Sequence, residues 1–397
     1  MIQRFLTDSM NRSFFLLGPR GVGKSTWLRD AFRSETTLWV NLLESKEELE
    51  LNRNPDLLLD RWKGRKGRPA WIVIDEIQKI PKLLDVVHRG IEEYRIKFAL
   101  TGSSARKLRR GAANLLAGRA NEFHLFPFTS FELGPQFDLT SALRWGTLPG
   151  LFADEVKSEK EKARFLYSYV STYLQQEIAA EQLVRQLDPF RRFLPSAAQM
   201  NGKILNYSKI GADAGVDYKQ VGRYFEILFD TLLGFYLEPH DNSLRKRQVQ
   251  KSKFYFFDTG VTRAILSAVE QPLHTNTYEF GDLFEHFVIL EFMRLSAYME
   301  KRHRFAFLRT KDDAEIDLII EPPRGRPYCI EIKSSDRLDK SRLSSFKRLS
   351  SHVPKGRFYW LSRCSEEVEI DNIRCLPWQK GIAEILDLST RQLPIIS

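Results

Sequence analysis

One stretch constrains this chain more than any other: Gly18-Pro19-Arg20-Gly21-Val22-Gly23-Lys24-Ser25-Thr26. Its first eight residues fit G-x-x-x-x-G-K-[ST], a phosphate-binding loop. The apolar run Phe14-Phe15-Leu16-Leu17 before it reads as a buried strand, and Trp27 to Phe32 after it reads as a helix. The residue types follow from the chemistry. Glycines let the backbone curl so that successive N–H groups point inward at phosphate oxygens, and the helix N-terminus adds partial positive charge. Lys24 is expected to reach the β- and γ-phosphates, and the Ser25 hydroxyl to ligate Mg²⁺. Gly18 through Thr26 therefore form the expected nucleotide-binding set.

A chain of 397 residues has room for two or three domains. Apolar residues at 43% and charged residues at 28% are the balance of a soluble globular protein. No apolar run approaches a membrane span, and Asp8, Asn11 and Arg12 interrupt any signal-peptide core. Three cysteines without metal spacing (Cys329, Cys364, Cys375) and seven scattered histidines suggest no zinc site. A cytoplasmic protein without a membrane partner is the expectation. The net charge of +10 favours an anionic partner. Residues 1–150 hold 24 Lys and Arg against 17 Asp and Glu, so +7 lies there. Two clusters contribute, Arg61-Lys63-Arg65-Lys66-Arg68 and Arg106-Lys107-Arg109-Arg110; each reads equally well as a solvated loop.

Within 1–150, residues 36–42 read as a second strand and 44–62 as a helical run. Ala70 to Glu76 is a continuous apolar run ending in Asp75 and Glu76, as in a parallel strand buried on both faces. Its acidic tip falls at the carboxyl edge of the sheet, where ligands bind. Asp75 is then placed to hold Mg²⁺ through water, and Glu76 to orient or deprotonate the attacking water. Lys97 to Ser104 is a further buried strand ending in small hydroxyl residues.

The runs GPRGVGKST, WIVIDEIQ, FALTGSSARKL and LLAGRANEFHLFPFTSFE together resemble the AAA+ module of a large prokaryotic family. In that family a helical region and a C-terminal domain long described as of unknown function follow. The resemblance implies an α/β ATP-binding domain over 1–150, a P-loop NTPase with a parallel sheet and Mg²⁺-dependent ATP hydrolysis. It implies that the 97–104 strand lies between the P-loop strand and the Asp75 strand. A polar residue at that strand's tip, Ser103 first and Ser104 second, would contact the γ-phosphate or the water. Arg119, just before the fifth strand, stands where such modules carry a finger reaching a neighbour's γ-phosphate, which implies a homo-oligomer.

Residues 151–270 read as a helical lid and winged-helix region. Tyr207 to Ala212, a turn at Gly215 and a helix from Asp217 to Leu228 form a helix-turn-helix pattern, with Asp217 as N-cap. Residues 233–237 and 253–257 would be the strands of a wing. Lys219, Arg223 and a basic cluster at 245–253 would then hold a DNA backbone; the alternative is a packing module that touches only protein. Asp258 is read as a helix cap.

Residues 271–397 hold a helix carrying Glu285, a strand carrying Asp317, a Pro-Pro turn, a strand carrying Glu331 and Lys333, and a further helix. This order resembles the PD-(D/E)xK nuclease core, an α/β fold, with Ile316 where that pattern has proline. Glu331 and Lys333 are two apart and share one strand face. Asp317 and Glu331 are expected to hold a second divalent metal, Mg²⁺ or Mn²⁺, that activates water and neutralises the scissile phosphate. Lys333 would position that water, and Glu285 would complete the acidic set. The sequence thus describes an ATPase, DNA-associated, whose nucleotide state controls a nuclease-like domain. A nucleotide switch that binds protein or DNA without cleavage is the alternative, and a P-loop that binds ATP but hydrolyses it poorly is a third reading.

Overall fold

The computed structural model describes residues 2–6, 10–32, 36–103, 116, 118–174, 187–240 and 251–388. Ser104, the 106–110 cluster and the 245–250 part of the 245–253 cluster lie outside them. Contacts gather the described chain into two compact units: residues 6–126 with 228–233, and residues 2–5, 127–227 and 234–388.

The first unit opens with β1 (Ser13–Leu17), α1 (Lys24–Ala31) and β2 (Thr37–Asn41). The expected 44–62 helix is two helices, α2 (Ser45–Arg53) and α3 (Leu57–Gly64). Pro55 explains the break: a residue before proline is steered out of the α region, and Asn54 sits at φ −137°, ψ 88°. Next come β3 (Trp71–Asp75), α4 (Leu83–Tyr94), β4 (Lys97–Gly102) and β5 (Ala120–His124). All pairings are parallel, in the order β2-β3-β4-β1-β5. The unit is therefore a P-loop NTPase sheet with β4 inserted between β1 and β3.

Alternate strand residues face opposite layers. Phe15, Leu17, Val40, Ile72, Ile74, Phe98 and Leu100 pack with Leu58, Leu59, Leu84 and Val87 of α3 and α4. Phe14 turns the other way, stacking 6.1 Å from Phe32 and meeting the Phe123 ring edge-on at 5.7 Å. Each such buried ring contributes roughly 1.5–3 kcal/mol, which fixes the strands whose tips carry the site. Gly90 shows how tight the first layer is: a Cβ there would lie 2.7 Å from the Phe98 ring.

The second unit holds α5 (Ser130–Leu133), α6 (Leu139–Trp145) and α7 (Glu159–Ser168), the last closed at its start by a Ser158/Glu161 capping box. A π-helical turn, Tyr169–Leu174, follows it. Then come α8 (Leu187–Gln199), α9 (Tyr207–Ala214) and α10 (Tyr218–Asp230). Gly215 ends α9 at φ 67°, and the Asp217 carboxylate caps α10 through the Lys219 and Gln220 N–H groups. Strands β6 (Gly234–Pro239) and β7 (Lys253–Phe256) form the antiparallel hairpin expected after these helices. The sequence did not foreshadow where it goes: β6 also pairs in parallel with β8, so the hairpin is the edge of a larger sheet.

That sheet has eight strands. After α11 (Thr259–Ile265) and α12 (Tyr278–Tyr298) come β8 (Arg304–Arg309), β9 (Glu315–Glu321), β10 (Tyr328–Lys333), α13 (Lys340–Arg348) and β11 (Arg357–Ser362). β12 (Val368–Ile370), β13 (Ile373–Pro377) and α14 (Trp378–Leu386) follow, giving the order β12-β13-β11-β10-β9-β8-β6-β7. Phe284, Phe287, Ile382 and Ile385 of α12 and α14 cover one face, against Ile330, Ile332 and Leu361. Leu343 and Phe346 of α13 cover the other, against Ile319, Cys329 and Trp360. Asp258 caps α11 as read, accepting from the Val261 N–H at 3.0 Å.

Candidate functional site

Two side-chain constellations stand out, one in each unit. The first lies at the carboxyl edge of the N-terminal sheet. The loop after β1 turns through Gly21 and Gly23 at φ 79° and 91°, a region glycine enters without steric cost. Gly18 is fixed by space: a Cβ there would lie 2.2 Å from the Leu125 carbonyl oxygen. Lys24 is buried, and its ammonium donates to the carbonyls of Gly18 at 2.8 Å and Pro19 at 3.0 Å. Ser25 Oγ donates to Asp75 Oδ2 at 2.6 Å. The two predicted Mg²⁺ ligands, fifty residues apart in the chain, thus touch. A hydroxyl and a carboxylate side by side under a glycine-curled loop are a hard-oxygen donor set that fits Mg²⁺ with a triphosphate.

Glu76 follows Asp75 at φ 62°, ψ 49°, a left-handed conformation rare for a residue with a side chain. Its carboxylate takes hydrogen bonds from Gln78 Nε2 and, at 3.4 Å, from Ser103 Oγ. Gln78 Nε2 also donates to Ser103 Oγ at 3.1 Å. Two participants were missed in the sequence. Thr101 Oγ1 donates to Asp75 Oδ1 and accepts the Glu76 N–H at 2.9 Å, and Gln78 bridges Glu76 to Ser103. Strand alternation offered a signal for the first, since Thr101 on β4 and Ser103 just past its end are two apart.

Arg119 stands at the start of β5. Ser13 pairs with Ala120 and Leu17 with His124, so Arg119 lies at the edge of the sheet opposite the P-loop. Its guanidinium pairs with Glu92 of α4 on the surface and holds that carboxyl below its usual range. The 61–68 basic cluster is largely committed within the unit. Arg61 pairs with Glu47 and Glu50, Arg65 donates to the Thr37 carbonyl, and Lys63 and Arg68 lie over the Tyr94 and Trp62 rings.

The second constellation is on the eight-stranded sheet. Antiparallel β9 and β10 pair Ile330 with Leu318, and one further step sets Glu331 opposite Asp317. Lys333 Nζ bridges them, 2.6 Å from Glu331 Oε1 and 3.1 Å from Asp317 Oδ2. Asp317 Oδ2 also accepts the Ile332 N–H at 2.8 Å, while Glu331 Oε2 is buried without a partner. Burial, then the Asp317 charge, pushes the Glu331 carboxyl up to about 8. Burial opposes the charge on Lys333, yet Asp317 and Glu331 hold its pKa above the ordinary value.

Glu285 stands near enough for the Asp317 charge to act on it, but among the described residues it shares no hydrogen bond or ion pair with the other three. It accepts from the Tyr255 hydroxyl at 2.7 Å and lies 3.6 Å from Lys253 Nζ, which pairs more closely with Glu315. Burial and Asp317 raise the Glu285 carboxyl to about 7. Among the described residues, no group of three or more His, Cys, Asp and Glu side chains is arranged to hold a metal ion. What converges is a pair of carboxylates. One or two carboxylates plus water is how proteins commonly hold Mg²⁺, and the unpartnered Glu331 oxygen is a free donor, so the pair fits a hard divalent cation. Lys253 is a correction: read as a DNA-contacting lysine, it is buried and belongs to this cluster. Lys219 and Arg223 are exposed on α10. No described helix is long and apolar enough to cross a membrane.

Residues 10–134 match the family model described as an AAA domain; residues 136–271 and 280–380 match two described as domains of unknown function, DUF8612 and DUF4143. Uncharacterized proteins of Mycobacterium tuberculosis and Mycobacterium bovis are each 27% identical over 329 residues, which is 82% of this chain and 71% of theirs. Chains in two structures of Drosophila ORC bound to DNA and Cdc6 overlap 64% of this chain at 12% and 11% identity, with TM-scores of 0.21 and 0.22. The overlap covers 86% and 85% of those chains. The chain carries an AAA-family, nucleotide-binding ATPase domain, followed by a helical region and a mixed-sheet domain.

Proposed function

We propose that this protein hydrolyses ATP at the β1–β3 edge of its N-terminal sheet, and that ATP state controls a C-terminal site acting on nucleic-acid phosphodiesters. The observation that carries the first half is the Ser25–Asp75 contact beside the buried Lys24. On ATP binding, Lys24 exchanges the Gly18 and Pro19 carbonyls for phosphate oxygens. Ser25 and Asp75 would hold the magnesium ion, which supplies charge neutralisation on the phosphates. Glu76 takes the proton of the attacking water, held in position by Gln78 and Ser103. Thr101 keeps the Asp75 carboxylate and the Glu76 backbone in register. Arg119 stands too far along β5 to serve its own P-loop: it precedes His124, the partner of Leu17, by five residues, about 16 Å of strand. The role proposed for it is toward the γ-phosphate of a neighbouring copy in a homo-oligomer, after release from Glu92. Phosphate release should fall at least about 100-fold in Glu76→Gln while ATP affinity persists. Equal turnover in wild type and Glu76→Gln would sink this assignment.

The second half is favoured by the carboxylate pair and its bridging lysine. Asp317 and Glu331 would hold a divalent cation, which supplies Lewis acidity at the scissile phosphate. Lys333 then turns its ammonium to the phosphate or the attacking water, and the Tyr255–Lys253 pair holds Glu285 beside the site. Supercoiled plasmid incubated with ATP and Mg²⁺ or Mn²⁺ should be nicked, and Lys333→Ala and Asp317→Ala should lose nicking while still turning over ATP. A wild-type protein that binds DNA in a nucleotide-dependent way but cuts nothing under either metal makes this a nucleotide switch instead.

A further inference from the structure

A cleft of about 580 Å³ opens beside Lys333, between the end of β10, the start of α13 and β11. Lys333, Arg337, Lys340 and Arg342 line it against a single carboxylate, Asp339. Asp339 is already engaged: it accepts the Ser341 and Arg342 N–H groups at the head of α13 and pairs with Arg342 at 3.4 Å. The helix terminus is thus satisfied internally, and the excess cation of the cleft is side-chain charge. Arg337 and Lys340 are exposed and make no side-chain hydrogen bond or ion pair among the described residues. Trp360 also lines the cleft; its indole N–H is buried without an acceptor among the described residues, a costly state for a donor.

Lys333 ties this cleft to the carboxylates, since the same ammonium contacts Asp317 and Glu331. We infer that the cleft is a binding site for the phosphodiester backbone of a nucleic-acid strand, which it delivers to the Asp317–Glu331 pair. The binding stands on the cleft itself; only the delivery rests on the phosphodiesterase reading above. Two features favour a polymer over a single phosphate ion. The volume is that of a pocket for a much larger ligand. The cations are strung along the 333–342 connection rather than gathered on one oxygen-sized point. Backbone contact through Lys and Arg carries no base specificity and is salt-sensitive through counterion release.

The test uses the full chain and a fluorescein-labelled single-stranded oligonucleotide, read by anisotropy in Ca²⁺ and in EDTA across a salt series. Arg337→Ala/Lys340→Ala, two surface changes whose folding is checked by an unchanged melting curve, should weaken binding about tenfold at low salt. The double variant should also lower the salt slope by about 1.4, roughly 0.7 for each single-strand phosphate that is no longer neutralised. Inorganic phosphate at matched phosphate concentration should not displace the oligonucleotide. An unchanged slope, or displacement by inorganic phosphate as effective as by unlabelled strand, overturns the inference. The two readings fail separately. A protein that cuts no plasmid but shows the slope change loses the phosphodiesterase reading and keeps the cleft. One that nicks plasmid with an unchanged slope does the reverse.

Discussion

Each of the two sites sets a lysine near an aspartate, but they use it in opposite ways. In the P-loop, Lys24 rests on two backbone carbonyls, and Asp75 is held by the hydroxyls of Ser25 and Thr101. Among the described residues, Lys24 and Asp75 form no ion pair with each other. In the C-terminal cluster Lys333 lies directly between two carboxylates, and the site is held together by that charge. Carbonyl dipoles give up an ammonium readily to a triphosphate, whereas carboxylates part with one only when another cation takes its place. On the function proposed above, the first site is prepared for an anion and the second for a cation. It follows that the first lysine matters to ligand binding and little to folding, and the second to both.

The largest expected effect breaks or keeps that contrast outright. Lys24→Met should cost about 10²- to 10³-fold in ATP turnover, the loss typical of one donor aimed at developing charge, and should leave the melting curve close to wild type. Phosphate release and differential scanning calorimetry check the two halves together. A Lys24→Met protein that melts far below wild type would show that this lysine, too, holds its site together.

Lys333→Met should instead destabilise. Removing one partner of a buried ion pair costs about 3–5 kcal/mol; Lys333 keeps 24% of its side chain exposed, so about 2–3 kcal/mol in urea unfolding at pH 8 is expected. The pH dependence follows from Glu331, raised from 4.5 to about 8 in the folded protein. A raised carboxyl binds more protons folded than unfolded, so its contribution is present at low pH and is lost as pH rises from 4.5 to 8. In Lys333→Met the unpaired carboxyl takes up a proton on acidification. The deficit should therefore shrink toward pH 5, and a deficit that grows with acid contradicts the assignment.

The first site was far more legible than the second, and the reason is local. Its residues stand in continuous runs, a strand entering a glycine turn and a strand ending in Asp75-Glu76, and the parallel order brings those ends together. Glu331 and Lys333 were legible for the same reason, being two apart on one strand. Lys253 and Tyr255 were not. They head a strand whose pairing with the C-terminal sheet runs through β6 to β8, a contact made across some seventy residues of chain. Nothing in the 253–257 pattern tells a surface wing from a sheet edge, so Lys253 read as a solvent-facing cation. The same holds for part of Glu285: the Asp317 charge acts on it, as its expected place implies, but its contacts with Tyr255 and Lys253 were not legible.

The finest test of the contrast concerns what holds Asp75. If hydroxyls rather than a cation position this carboxylate, their removal should impair catalysis in proportion to the quality of each hydrogen bond, without unfolding the unit. Thr101→Val removes the donor to Asp75 and leaves the Glu76 N–H without its acceptor. A misplaced pair of groups at about 1.4 kcal/mol is roughly a tenfold loss in kcat, with ATP affinity by calorimetry little changed. Ser103→Ala removes the 3.4 Å contact to Glu76, at the outer limit for an O–H donor, and one acceptor of Gln78 Nε2 at 3.1 Å, while Gln78 still reaches the same carboxylate. Its effect should be about threefold or less, from a fraction of a kcal/mol. A Ser103→Ala effect larger than that of Thr101→Val would reverse this ranking. It would make the tip of β4 the group that meets the attacking water directly, with Thr101 a packing residue alone.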